Sequence, residues 1–237
     1  MGAVRDLVLV HGAWHGAWCW RRVLPLLADA GARAVTVSLT GVGEKAHLLG
    51  PAVTVATHVA DVVAAVRAEE CRDAVLVGHS YGGVPVTAAA DVLGDAVGPL
   101  VYVDAVVPAP GECWSSLSPP ETAAARRATI AATGALPPPP ASAFGLTGGD
   151  AAWVDRRQTP QPGGVYDDPV DFSLPRWLAR SRTFLDCTTP PLPTIDPSRA
   201  RVRSQPGWDV VELATGRDPM VSAPGLLAAE LLRVAAG

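Results

Sequence analysis

No histidine follows residue 79 in this chain of 237 residues, so any serine nucleophile that needs a later histidine as its base is left without one. Cysteine is sparse. Cys19, Cys71, Cys113 and Cys187 show neither CxxC spacing nor histidines at zinc-site intervals, so no metal is expected and the thiols read as reduced core residues. No apolar run approaches the roughly 20 residues of a membrane span. No basic region with a long apolar stretch precedes the first strand, and a soluble, cytoplasmic protein is expected. The 19 basic and 23 acidic residues are scattered to a net charge of −4, without the basic stripe of a nucleic-acid binder or the acidic tail of a disordered arm. Neither G-x-G-x-x-G nor a Walker loop occurs, so no nucleotide or other cofactor is expected.

What the chain does have is apolar matter, 49% of its residues, enough for one globular unit with a full core. Apolar runs bounded by glycine alternate with helical patterns, which points to parallel strands joined by crossover helices. Strands are expected at Leu7–Val10, Ala34–Leu39, Asp73–Gly78, Leu100–Asp104, Arg182–Cys187 and Asp209–Leu213. Helices are expected at Trp18–Ala30, Thr54–Glu70, Gly82–Leu93 and Pro224–Ala236. Between residues 108 and 181 the pattern breaks down among prolines and Gly-Gly pairs, leaving short helices near Glu121–Thr133 and Ala151–Arg157. A structureless linker of that length is improbable inside a compact domain, so 108–181 reads as a proline-rich cap inserted into a core of residues 1–107 and 182–237.

Gly78-His79-Ser80-Tyr81-Gly82 is a G-x-S-x-G elbow, in which a strand turns sharply into a helix and exposes the hydroxyl of Ser80. Gly78 and Gly82 suit it because the turn is strained and the flanking chains pack too closely for a Cβ. Such a serine is a weak nucleophile until a base takes its proton.

The segment Val8-Leu9-Val10-His11-Gly12-Ala13-Trp14-His15-Gly16-Ala17-Trp18 resembles the oxyanion-hole segment of small α/β-hydrolases related to plant methylesterases and hydroxynitrile lyases. Thr40–Leu48, Gly78–Gly83, the cap stretch Trp153–Arg157 with Thr159–Pro162, and Leu213–Gly216 are similar to their bacterial relatives. The resemblance spans nearly the whole chain and implies an α/β-hydrolase fold, a mostly parallel, doubly wound sheet. It also implies that the backbone N–H groups of Ala13 and Tyr81 form an oxyanion hole, where each donor is worth about 3 kcal/mol to a developing anion. The family's late signature is similar to Gly-His-x-Pro-Met with the base second. Here it is Gly216-Arg217-Asp218-Pro219-Met220, and a guanidinium cannot accept the serine's proton. The acid position, in a segment similar to Cys-Thr-x-Asp, here reads Cys187-Thr188-Thr189-Pro190, so the acid is expected to be lost as well. On that reading Arg217→His is not expected to restore much hydrolysis.

Arg217 facing the oxyanion hole would hold a carboxylate, phenolate or enolate. Asp104 would be its partner or the site's general base, or else structural. His15 is the histidine placed for substrate contact or replacement acid–base work. His11, His47 and His58 read as structural, with His58 remote from the elbow, and His79 as turned into the fold beside the serine. Trp14, Trp18, Trp114, Trp153 and Trp177 fall in pocket-rim or cap segments and favour a flat or apolar ligand, although cap–core packing explains them nearly as well.

Four readings follow. The leading one is a non-hydrolytic enzyme that orients a small apolar or aromatic, polyketide-like substrate for cyclisation, dehydration or C–C lyase chemistry in bacterial secondary metabolism. The others are an esterase or hydroxynitrile-lyase-like enzyme with a relocated base at His15 or Asp104, a ligand-binding protein without turnover, and a decayed enzyme. A homodimer is left open.

Overall fold

A computed structural model describes residues 4–237. Its strands are β1 (Leu7–Val10), β2 (Ala34–Val37), β3 (Ala74–His79), β4 (Val97–Val103), β5 (Ala135–Leu136), β6 (Gln161–Pro162), β7 (Arg182–Cys187) and β8 (Trp208–Leu213). Six of them form one parallel sheet in the order β2-β1-β3-β4-β7-β8, while β5 and β6 pair as a short antiparallel ladder. Helices cover both faces, so β1 (LVLV) and most of β3 and β4 are apolar rather than alternating with polar residues, while the inner strand β7 buries Arg182, Thr183 and Asp186. Leu7 and Leu9 of β1 pack into one cluster with Val75, Val77, Leu227 and Leu231. Val8 and Val10 pack into the other with Leu76, Val84 and Val62. That is the period-2 geometry of a strand serving two cores.

The helices are α1 (Leu24–Asp29), α2 (Val55–Ala68), α3 (Gly83–Leu93), α4 (Pro120–Thr133), α5 (Gly148–Asp155), α6 (Leu174–Leu178), α7 (Asp196–Ser204), α8 (Pro219–Ser222) and α9 (Pro224–Ala236). Thr54 caps α2 by accepting from the Thr57 N–H, and the Thr57 side chain answers it. The single helix expected at Trp18–Ala30 is instead a 3₁₀ segment, Ala17–Arg22, followed by α1. Pro25 lacks an N–H and suits only a first helical turn, so the helix begins afresh there. Sequence reasoning missed α7 altogether, because it buries Ser198, Arg199 and Val202 rather than an apolar stripe. Segment 108–181 carries α4, α5, α6 and the β5–β6 ladder. Among the described residues no helix is long and apolar enough to cross a membrane.

Strand register sets up the site. His79 pairs with Val103, so the next residues, Ser80 and Asp104, leave the sheet side by side at its C-terminal end. Both sit at positive φ, 54° for Ser80 and 42° for Asp104, a conformation that costs a non-glycine residue on the order of 1 kcal/mol or more and concentrates at functional sites.

Candidate active site

The elbow turns as tightly as its glycines suggest. A Cβ on Gly82 would stand 2.6 Å from the His11 carbonyl oxygen, so the start of α3 could not approach β1 with any larger residue. The neighbouring loop is equally close: a Cβ on Gly12 would meet the Ser80 Cβ at 2.7 Å. This contact packs the Gly12 turn, which leads into Ala13, against Ser80. Tyr81 turns its ring into the core, where its hydroxyl donates to His58 Nδ1 at 2.9 Å while His58 Nε2 donates to the Thr40 carbonyl at 2.8 Å. His58 is therefore not remote from the elbow, as expected from its helix; it braces the residue that follows Ser80. Burial holds its pKa below the ordinary histidine value, consistent with a neutral ring.

Arg217 occupies the place where the family base would stand, in the turn between β8 and α8. Its Nη2 donates to Ser80 Oγ, and its Nη1 donates to Asp104 Oδ2 at 2.9 Å. All three side chains are nearly or wholly buried. Two backbone contacts hold the arginine: its N–H donates to the Phe144 carbonyl at 3.2 Å, and its carbonyl accepts from His79 Nε2 at 3.0 Å. Asp104 also accepts from Arg199 Nη2 at 2.6 Å, and Arg199 Nε donates to Asp186 at 2.6 Å. The expected loss of the acid is thus corrected. The segment after Cys187 does lack a carboxylate, but Asp104, on the neighbouring strand β4, reaches the same guanidinium. Its expected alternative role as general base is corrected too, because guanidinium donors take both carboxylate oxygens. Burial pushes its pKa up while the two cations pull against that, and two permanent charges at contact distance keep it the anchor of the network.

His15 is not at the pocket mouth. It is 1% exposed, donates from Nδ1 to the Ala13 carbonyl at 2.8 Å, and lies with Nε2 3.2 Å from Asp218 Oδ2. With an acceptor at each nitrogen, the ring is satisfied as an imidazolium paired with the Asp218 carboxylate. Burial alone would lower its pKa, but Asp218 and the Ala13 carbonyl outweigh it, and the value lies above the ordinary one. Asp218 is likewise held below the usual carboxylate range, burial being overcome by His15, His79 and Arg217. The pair ties the Ala13 segment to the Arg217 turn and has no opening to a substrate. Burial lowers His11 and His79 to about 3, so both rings are neutral scaffolding. His47 is exposed.

A cavity of about 150 Å³ opens onto Ser80 and Arg217, walled by Trp14, Trp114, Phe144 and Ile195, with Arg126 at its edge. Trp14 and Trp114 thus line it, while the other three tryptophans do not. Trp18 stacks on His15 and Trp153 packs edge-on against Trp18. Trp177 lies at the other end of the sheet, bonded to Tyr102 and packed on Trp208 and Arg182. A larger hollow there, about 400 Å³ beside Arg182 and Trp208, contains no part of the Ser80 machinery. Sequence reasoning missed Arg199, Arg126, Phe144 and Ile195; no spacing or motif marks any of them. Among the described residues no cluster of His, Cys, Asp or Glu could hold a metal ion.

The chain matches the model of the alpha/beta hydrolase family over residues 7–231. It is 38% identical over 241 residues to a carbendazim hydrolyzing esterase of Nocardioides sp. (strain SG-4G), covering 95% of this chain and 98% of that protein. It is 34% identical to an α-hydroxynitrile lyase of Arabidopsis thaliana over 43% of this chain and 40% of that one. An extracellular α/β-hydrolase from a Paenibacillus species superposes with a TM-score of 0.82 at 20% identity over 98% of both chains, a likeness of fold. With a serine elbow, a Gly12–Ala13 loop packed against it and a sheet that ends in both, this chain belongs to the α/β-hydrolase family, among enzymes related to esterases and hydroxynitrile lyases.

Proposed function

We propose that the protein is an esterase-class hydrolase of small aromatic esters or carbamates, with Ser80 as nucleophile and Arg217 in place of the histidine. The contact of the Arg217 guanidinium with Ser80 Oγ carries this reading. The nearly full-length likeness to an esterase that hydrolyses carbendazim, a flat aromatic carbamate, supports it. Arg217 removes no proton; as a fixed cation at contact distance it stabilises the alkoxide and so lowers the serine's pKa. Because Oγ accepts from Arg217, the hydroxyl proton is directed elsewhere. The cavity wall offers no carboxylate or imidazole, so solvent hydroxide takes that proton and becomes water. The alkoxide then attacks the carbonyl carbon. The tetrahedral oxyanion is stabilised by the Ala13 and Tyr81 N–H groups, the C–O or C–N bond to the leaving group breaks, and water protonates that group. A second hydroxide attack releases the acid and restores the serine. This replaces the relocated base at His15 or Asp104 with one from solvent.

The test is hydrolysis of carbendazim and of an aryl acetate by wild type and Ser80→Ala, with intact-mass labelling by a small fluorophosphonate. Expected are Ser80-dependent turnover that rises about tenfold per pH unit above neutrality, and stoichiometric labelling of wild type alone. Turnover that survives Ser80→Ala, or a serine that stays unlabelled at pH 9, sinks it. The second reading, a non-hydrolytic enzyme that holds an enolate or phenolate on Arg217 and the oxyanion hole, is favoured by one observation, the lack of a base on the cavity wall.

A further inference from the structure

The cavity is one-sided in charge. Two guanidiniums line it, those of Arg217 and Arg126, and no carboxylate does. Arg217 is answered by Asp104. Arg126 is not answered: among the described residues no hydrogen bond or ion pair uses its guanidinium. Its neighbour on α4 behaves as surface arginines commonly do, with Arg127 bound to Asp167 at 2.8 Å. Arg126 instead turns inward over three aromatic rings, its guanidinium carbon 5.2 Å from the Trp114 centroid, 5.7 Å from Tyr166 and 5.9 Å from Trp14. The ring faces hold the cation electrostatically, yet they accept none of its N–H groups as a carboxylate would.

Its position adds a second observation. Beyond the inner cavity lies an outer hollow of about 290 Å³, and the two share Trp14, Arg126 and Pro139. A ligand with its acyl carbon at Ser80 and a ring against Trp14 and Trp114 would carry its far end past Arg126.

We propose that Arg126 is a specificity residue that binds the carboxylate of the substrate, which is then an aromatic ester or carbamate with a free acid group distal to the reacting carbonyl. The substrate class rests on the esterase reading above; the anion subsite does not. Five fixed N–H donors, permanent charge and partial shielding by aromatic walls suit a bidentate carboxylate at this place.

The experiment uses quenching of tryptophan fluorescence, since Trp14 and Trp114 flank the subsite, and titrates 2-naphthoate against the neutral isostere 2-naphthamide. The proteins are wild type, Arg126→Gln and Arg127→Gln. Expected is an acid-over-amide preference of about tenfold or more in wild type and in Arg127→Gln, weakened by salt, falling to near one in Arg126→Gln. Equal affinities in wild type, no measurable binding of either probe, or a preference that persists in Arg126→Gln would overturn it. Binding needs no turnover, so the two readings fail separately. A kept preference without ester hydrolysis removes only the esterase; hydrolysis without a preference removes only the subsite.

Discussion

Arg217 and Asp104 form a buried ion pair, Nη1 to Oδ2 at 2.9 Å, in which the arginine stands between a carboxylate and the elbow serine as a triad histidine would. The carboxylate in this arrangement comes from the end of β4.

A histidine placed at 217 should find that carboxylate waiting. Arg217→His is expected to raise kcat/KM for an aryl acetate at pH 7.5 by about 100-fold and to add an ionisation near 6.5 to the pH profile. This reverses the expectation drawn from the sequence, which took the acid as missing. A folded variant with unchanged turnover would show that Asp104 cannot orient the ring.

Arg199 binds both Asp104 and Asp186, and its side chain is only 10% exposed. Removing one member of a buried ion network leaves uncompensated charge, and Arg199→Met should lower unfolding free energy by about 3 kcal/mol or more. Denaturant titration checks this, and a loss below about 1 kcal/mol would mean that water already screens the network.

Stability should peak near neutrality. His11 and His79 titrate at about 3 when folded and near 6.5 when unfolded, so the unfolded chain binds protons first as pH falls below 6.5. Each histidine then removes about 1.4 kcal/mol per pH unit. The raised pKa of His15 acts oppositely: its stabilisation is whole below 6.5 and is lost as pH rises through its folded value. The depressed pKa of Asp218 gives a contribution that is present above the usual carboxylate range and lost at strongly acidic pH. Thermal melts from pH 4 to 9 should show both limbs, and His79→Gln should flatten the acid one. Parallel acid limbs in the two proteins would show that His79 is not neutral when folded.

Leu7–Val10 was legible because a strand buried on both faces writes itself as a continuous apolar run, and both it and the more polar Arg182–Cys187 match their expected bounds. The elbow was legible because its glycines answer a local steric need. Helix α7 was not, since its buried face is built on Arg199, a residue that reads as solvent-facing until its carboxylate partners are known.

By itself the sequence determined the parallel α/β layout, through its apolar runs and family resemblance, and the elbow position of Ser80, a matter of local pattern. Tertiary structure alone decided that Asp104 meets Arg217, that His15 is sealed between the Ala13 carbonyl and Asp218, that Trp177 lies at the far end, and that Arg126 faces the cavity. Each of these depends on how the elements are brought together in space, which joins residues far apart in sequence, such as His15 and Asp218, 203 positions apart. Charge pairs and cavity walls have no period along a chain, so only the folded backbone can assign their partners.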